Sequence, residues 1–307
     1  MTFQDPSLPK TEAPAASAQP QSRANGPALS EAAFECIAAL AKREAGLAIA
    51  SAKAAMVRTR LSRRLRLLNL RSFEAYCDHV QSPEGKEELG EMISALTTNV
   101  SHFFREDHHF QTLRNDVLPP LIANLSKGKR LRIWSAGCSN GQEPMSIAMT
   151  LREANVPADA DVKILATDID PVVVAHAKRG FYSEQMISGL DKARRNRFFT
   201  AQNKDGVSGW QANDDLKSLI SVRQLNLLRD WPMKGTFDVI FCRNVVIYFD
   251  AETQTRLWQR FAKVLAPEAW MFLGHSERVC EENMTHFRNS GVTTYRRTEI
   301  PTQSLRS

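Results

Sequence analysis

The chain has 307 residues, 43% of them hydrophobic and 24% charged, and its 40 Lys and Arg against 34 Asp and Glu leave a net charge of +6. That length suits two domains, and this composition excludes a disordered, fibrous or disulfide-stapled chain. Five scattered cysteines without a C-x-x-C pair speak against zinc, and with a mean hydropathy of −0.34 no apolar run approaches the ~20 residues of a spanning helix. No basic and apolar leader opens the chain, so a reducing cytoplasm is the expected compartment.

Residues 1–28 are rich in Pro, Ala, Ser and Gln and poor in large apolar side chains. Such a segment cannot bury enough surface to offset its ordering entropy, so a disordered tail is expected. Residues 29–97 read as an all-helical domain. Ser30 is a good N-cap for a helix through Phe34, Ile37 and Leu40. A second helix from about Ser51 carries Ala54, Val57, Leu61, Leu65 and Leu68 at spacings of three and four. Ser72 caps a third helix through Phe73 and Tyr76, and a fourth follows Pro83 with Leu89, Met92, Ile93 and Leu96. Residues 98–129 read as a linker and a helix.

From 130 to 300 short apolar runs alternate with helical stretches. Strands are predicted over 131–136, 162–167, 219–225, 237–242 and 270–274, with 292–296 as a last member. Helices are predicted through Met145, Ile147 and Met149, over 172–177 and over 251–264. This alternation predicts an α/β domain whose parallel sheet is covered on both faces. Residues 180–218 are polar and glycine-bearing. They read as a small inserted β-subdomain with a helix and a hairpin around Asp205 and Gly206.

The first strand-turn-helix unit reads Ser135-Ala-Gly137-Cys-Ser-Asn-Gly141-Gln-Glu143-Pro144. In doubly wound sheets ligands lie at the carboxyl ends of the strands. Gly137 and Gly141 let the backbone approach a ligand closely. Their G-x-x-x-G spacing, with no phosphate-binding Lys, speaks against a dinucleotide or triphosphate. Glu143 at a helix start would repel a pyrophosphate and suits an amine or cation. The second strand ends at Asp168, where an acid typically binds ribose hydroxyls, while Asp170 is the better helix cap. A nucleoside with a cationic substituent fits both acids, and S-adenosylmethionine is such a molecule. The fourth strand runs into Cys242-Arg243-Asn244-Val-Val-Ile-Tyr248-Phe249, a polar pair and an aromatic where loops carry function. Cys242 has no His and acid at a recognisable spacing and reads as packing.

Five ordered segments resemble the chemotaxis receptor glutamate methyltransferases, the CheR family. They are Ala95-Leu-Thr-Thr-Asn-Val-Ser-His-Phe-Phe-Arg105-Glu, the stretch from Trp134 to Ala148, Ala166-Thr-Asp-Ile-Asp, Phe237 to Asp250, and Gly274-His-Ser-Glu277. The resemblance spans about residues 30–298. It implies a helical domain before a Rossmann-like S-adenosylmethionine-dependent domain, and methyl transfer to glutamate side chains of chemoreceptors. It implies cofactor contacts from Asn99, Ser101 and Arg105 between the domains, and Glu143 near the methionine amine. Asp168 matches the ribose ligand, and Asn226 and Leu227 the adenine side. Arg243 and Asn244 match the loop beneath the methionine part, and Tyr248 the aromatic beside the reacting methyl, which makes Arg105 and Tyr248 the catalytic candidates. Gln142 and Ser101 stand where the family often has Glu and Thr.

A glutamate carboxylate, with a pKa of about 4.3, is ionised at neutral pH and needs no general base. His102, His108 and His109 read as surface or interdomain residues, with no metal site. Residues 45–73 contain no acid but hold Lys53, Arg58, Arg60, Arg63, Arg64, Arg66 and Arg71. Helical geometry gathers Lys53, Arg60, Arg63 and Arg64 beside the leucine stripe. The resemblance implies docking of this face onto acidic methylation helices of receptors. Aromatics and glycines that would stack nucleic acid are lacking, so no nucleic acid is expected; the absence of long apolar runs leaves no expected membrane insertion, and a monomer is the default expectation. Two other readings remain open on sequence: a methyltransferase of RNA or a small molecule, and a non-catalytic cofactor sensor.

Overall fold

A computed structural model describes residues 27–157, 159–204 and 206–298. Residues 1–26 of the expected disordered tail, and Asp205 of the expected hairpin, lie outside the described residues.

Four helices come first: α1 (Glu31–Ala45), α2 (Ala54–Leu67), α3 (Phe73–Gln81) and α4 (Lys86–Leu96). The hydroxyls of Ser30 and Ser72 accept the backbone N–H of Ala33 and Ala75 at 3.2 and 3.1 Å, capping α1 and α3. Ala50 offers no such acceptor, and the chain enters α2 through a 3₁₀ turn over Ser51–Lys53. Ile37, Val57, Leu61, Leu65, Phe73 and Met92 are fully buried and form the domain's core. One charge sits among them. Glu88 is buried and accepts the Tyr76 hydroxyl at 2.7 Å and Arg64 Nε and Nη2 at 3.0 and 2.5 Å.

This arrangement corrects half of the expected docking face. Positions 60 and 64 flank the apolar stripe of α2, so their side chains turn toward α4 rather than to solvent. Arg64 pairs with Glu88 and, at 2.8 Å, with Glu91. Arg60 donates to the carbonyls of Leu96 and Thr97 at 2.7 and 2.9 Å and to the Thr98 hydroxyl at 3.0 Å. Lys53 and Arg63 are exposed, together with Arg58, Arg66 and Arg71.

The chain then runs through α5 (His108–Thr112), a π-helical turn (Leu113–Val117) and α6 (Leu118–Leu125) into β1 (Leu131–Ala136), α7 (Gln142–Glu153), β2 (Val162–Asp168) and α8 (Pro171–Arg179). An insertion follows: β3 (Phe181–Ser183), α9 (Glu184–Ile187), α10 (Lys192–Phe198), β4 (Phe199–Lys204), β5 (Val207–Ala212) and α11 (Asp214–Lys217). Its strands form a three-stranded sheet, β3-β5-β4, in the place where the sequence predicts a small inserted β-subdomain with one hairpin. The chain closes with β6 (Ile220–Gln224), β7 (Phe237–Cys242), α12 (Ala251–Val264), β8 (Leu265–Leu273), β9 (Phe287–Gly291) and β10 (Thr294–Arg297).

The large sheet has the order β6-β2-β1-β7-β8-β10-β9. The first five strands are parallel, but β10 runs antiparallel to both β8 and β9. The expectation of a wholly parallel sheet fails at this edge because only Val292 and Thr293 separate β9 from β10, which leaves no room for a crossover helix. Side chains alternate across the pleat. Ile133, Ile164, Val239 and Phe241 pack under α7, while Trp134, Ile240, Met271 and Leu273 pack against Leu257, Trp258 and Phe261 of α12. Strand order reverses between β1 and β7, so their carboxyl ends diverge into a crevice.

Replacing Glu88 with Ala strands the Tyr76 hydroxyl in the core and removes one of the two partners of Arg64. We expect a loss of about 2 kcal/mol, read as a lower midpoint in thermal or urea unfolding, while Lys53→Ala leaves the midpoint unchanged.

Candidate active site

A cleft of about 930 Å³, counting the space at its mouth, lies over the carboxyl ends of β1, β2 and β7. Segment 97–101 crosses it, and Ala45 and Leu47 of the helical domain close one side. Eleven residues singled out from sequence for the cofactor or the reaction line it: Asn99, Ser101, Arg105, Gly137, Glu143, Asp168, Asn226, Leu227, Arg243, Asn244 and Tyr248. Gly141, expected to approach a ligand, instead caps α7 against Tyr182 and Ala177.

The loop after β1 is tight. Gly137 has φ +90°, and its N–H and that of Cys138 donate to the Thr167 carbonyl at 2.8 and 2.9 Å. A Cβ at Gly137 would meet Val245 Cγ2 at 2.2 Å. Glu143 follows at the start of α7, buried, with Oε1 accepting the Ser135 hydroxyl at 2.7 Å and Oε2 accepting Arg243 Nη1 at 3.2 Å. Burial pushes its carboxyl up, against the pull of the Arg243 guanidinium. Asp168 ends β2, with Oδ2 accepting Ser139 N–H at 2.9 Å and Oδ1 accepting Asp170 N–H at 3.1 Å. Burial raises this carboxyl too. Asp170 caps α8 by accepting Val172 N–H at 2.9 Å.

The crossing segment is pinned to both loops. Asn99 Nδ2 donates to Asp170 Oδ2 at 2.6 Å, and the Asn99 carbonyl accepts the Ser139 hydroxyl at 2.9 Å. Arg105 donates to the Val100 carbonyl at 3.0 Å and makes no ion pair among the described residues. Across the cleft Asn226 Nδ2 donates to the Glu44 carbonyl at 2.7 Å, joining the loop after β6 to the C-terminal end of α1. Tyr248 N–H and C=O serve structure, the carbonyl accepting Ala48 N–H at 2.8 Å. Its hydroxyl has no hydrogen bond among the described residues.

Two acids that position the site carry no role in the sequence reading. Glu106 meets Arg243 at 3.4 Å and His275 Nδ1 at 3.3 Å. Glu277 is buried behind the loop after β7, where its carboxylate takes a row of backbone N–H groups. Both lie inside segments quoted for the family resemblance, but nothing in their spacing announces an inward-facing carboxylate. The histidine expectation is corrected in one place. His109 is fully buried, packed on Phe272 with ring centroids 5.2 Å apart, and its Nε2 lies 2.9 Å from Thr293 Oγ1. Burial beside the Arg243 cation lowers its pKa to about 3, so it stays neutral. The amphipathic turn of α5 carries it inward, while His102 and His108 are exposed. Cys242 is buried and its thiol is pushed up by desolvation, as suits packing.

The family model described as the CheR methyltransferase SAM-binding domain matches residues 99–296, and that described as the CheR methyltransferase all-alpha domain matches residues 32–97. The chain belongs to the CheR methyltransferase family. A probable chemotaxis protein methyltransferase of Rhizobium etli is 49% identical over 257 residues, covering 83% of this chain and 96% of the relative. Chemotaxis protein methyltransferase 2 of Pseudomonas aeruginosa is 42% identical, covering 82% and 88%. The chemotaxis protein methyltransferase of Escherichia coli is 37% identical, covering 87% and 91%.

As a CheR methyltransferase the protein uses S-adenosylmethionine. The donor set suits that ligand. Glu143 at the start of α7 and Asp168 at the end of β2 offer buried hydrogen-bond acceptors of the kind an amine and ribose hydroxyls require, and each keeps lone pairs beyond the contacts named above. Arg243, the buried cation, is already engaged by Glu143 and Glu106 and does not invite a phosphate. Among the described residues no helix is long and apolar enough to cross a membrane.

Gly137→Ala places a methyl in Val245 at a backbone conformation that alanine resists. We expect S-adenosylhomocysteine affinity, measured by calorimetry, to fall at least about tenfold, which corresponds to ~1.4 kcal/mol.

Proposed function

We propose that this protein transfers the methyl group of S-adenosylmethionine to glutamate side-chain carboxylates of chemoreceptors, forming methyl esters, with the helical domain as the receptor-docking module. The observation that carries this reading is the charge layout of the cleft. Its carboxylates lie deep and are engaged, whereas the mouth presents Arg105 without an ion pair and the unpartnered hydroxyl of Tyr248. A mouth of that kind receives an anion. An acceptor needing deprotonation would require a base there, and the histidine on the rim, His102, is exposed with Nδ1 turned to the Phe103 carbonyl at 3.3 Å.

When bound, S-adenosylmethionine supplies an electrophilic methyl on a sulfonium. In this reading Glu143 accepts the ligand's amine and Asp168 its ribose hydroxyls. Asn226 and Leu227 flank the base. Gly137, Arg243 and Asn244 form the floor, and Asn99 and Ser101 close the cleft from above. Arg105 attracts the incoming carboxylate, and Tyr248 orients it. The glutamate arrives already ionised, so the protein's work is alignment and exclusion of water. Alignment of that kind contributes ~7–11 kcal/mol of barrier reduction. Opposite charges cancel as the methyl moves, so a dry pocket favours the step.

The exposed cations Lys53, just before α2, and Arg63, with Arg66 beside it, form the docking face, while Arg60 and Arg64 support it from inside. Acidic receptor helices are the partner this face suits, through long-range attraction that salt screens.

The experiment is methyl transfer from radiolabelled S-adenosylmethionine to receptor-containing membranes, read as volatile methanol released by alkali. Methyl esters release it, whereas N-methyl groups do not. We expect base-labile label on receptor bands. Tyr248→Phe and Arg105→Ala should lower turnover by roughly 10–100-fold, with S-adenosylhomocysteine affinity nearly unchanged for Tyr248→Phe. Label that resists alkali would sink the proposal.

The docking face has its own test. The Lys53→Glu, Arg63→Glu double variant should raise KM for receptor membranes roughly tenfold at low salt, with the gap to wild type closing as salt rises. An unchanged KM would remove α2 from the interface.

A further inference from the structure

The loop that carries Asn244 and Tyr248 is held by one side chain. Glu277 is 2% exposed. Its Oε2 accepts the backbone N–H of Asn244 at 2.8 Å and of Gly274 at 2.6 Å. Its Oε1 accepts Val245 and Val246 N–H at 2.8 Å each, and Ile247 N–H at 3.3 Å. Five N–H groups thus converge on one carboxylate. Four of them are consecutive, which forces the chain into a tight concave turn around the anion. The turn has a cost at Asn244, whose φ is +59°, a region that L-residues other than Asn and Asp rarely adopt. Gly274 closes the other side. A Cβ there would lie 2.6 Å from Asn244 Nδ2, 2.7 Å from Asn244 N and 2.8 Å from Glu277 Oε2.

We infer that Glu277 is a positioning residue for methyl transfer: its carboxylate sets the turn that delivers Asn244 to the floor of the cleft and the Tyr248 ring to the mouth. Tyr248 follows one residue after the last of the four consecutive donors, at the end of the 3₁₀ turn Val246–Tyr248. Its main-chain ties, its N–H to the Val245 carbonyl and its carbonyl from Ala48, place its backbone but leave the hydroxyl free. The direction of that hydroxyl is therefore inherited from the turn. Glu277 itself does not line the cleft. It acts on the reaction only through the residues it holds. The role of Tyr248 in this inference rests on the function proposed above.

Glu277→Gln is the informative change, because it keeps shape and removes the charge. An amide offers one oxygen, and its NH₂ must then face the N–H donors of the other set. The turn loses its anion while the fold keeps its packing. Glu277→Asp keeps the charge but shortens the reach, and it replaces the Gln variant if that one does not fold. Four proteins are compared: wild type, Glu277→Gln, Tyr248→Phe and the double variant. For each, turnover and KM on receptor membranes, S-adenosylhomocysteine affinity and the unfolding midpoint are measured.

We expect turnover of Glu277→Gln to fall by about 100-fold with KM within about threefold of wild type, and ligand affinity to fall by less than about tenfold, since Asn244 on the cleft floor shifts with the turn. Adding Tyr248→Phe should cost less than about twofold more, because the hydroxyl is already misdirected. A turnover unchanged from wild type overturns the inference. So does a full multiplicative loss in the double variant, or a ligand affinity that falls as far as turnover does. A readout without turnover keeps the two proposals apart. The four tyrosines are replaced with 3-fluorotyrosine, and the Tyr248 resonance is assigned by its disappearance in Tyr248→Phe. In Glu277→Gln that resonance should shift or broaden while the other three stay in place. An unmoved resonance overturns the inference even in a wild type that labels no receptor, and absence of receptor label alone counts only against the substrate reading.

Discussion

Taking a carboxylate out of water costs several kcal/mol unless donors replace its hydration, and the cleft is organised by that constraint. Glu143, Asp168 and Glu277 are all buried, and desolvation raises each carboxyl. Their donors are different. Glu143 has a hydroxyl and a guanidinium, Asp168 has two backbone N–H groups, and Glu277 has five. The donors to Asp168 and Glu277 come from loops at strand ends, so for these two acids satisfying the charge and shaping the loops are the same event. The acids that line the cleft keep spare acceptor capacity, while the acid behind the loop is saturated. This division separates acids open to the cleft from one that holds a turn.

The site belongs to neither domain alone. The carboxyl ends of β1, β2 and β7 provide a floor, but the lid is segment 97–101, pinned through Asn99 to Asp170 and Ser139. The α1 terminus supplies the carbonyl that holds Asn226. Gly46, in the left-handed region that ends α1, lies against Leu228 and Phe249 with no space for a side chain, since a Cβ would meet them at 2.8 and 3.0 Å. The helical domain is thus a wall of the cleft as well as a candidate surface for partners.

Much of this was legible in the sequence, for physical reasons that differ by element. Helix starts at Ser30 and Ser72 carry their own caps, and strands 131–136 and 237–242 are short, mostly apolar segments bounded by turns, so local chemistry decides them. The acid after β2 and the glycine turn after β1 follow from how α/β sheets bind ligands. What escaped was anything decided by long-range packing. Arg60 and Arg64 look like surface cations until α4 is placed beside them. His109 looks like one of three exposed histidines until α5 turns it onto Phe272. The antiparallel edge depends on a two-residue turn between segments too short to read as a pair. Glu88, Glu106 and Glu277 are charges that the sequence alone would send to solvent.

Arg60 deserves a last consequence. Its guanidinium leaves the cationic face of α2 to bind the carbonyls of Leu96 and Thr97 and the Thr98 hydroxyl, at the root of the lid. Neighbouring Lys53, Arg58, Arg63 and Arg66 have no such second duty. Substitutions at those four positions leave the cleft untouched, so their charge is free to drift. Position 60 is not free in that way. A change there loosens the segment that crosses the cleft along with the surface charge of α2.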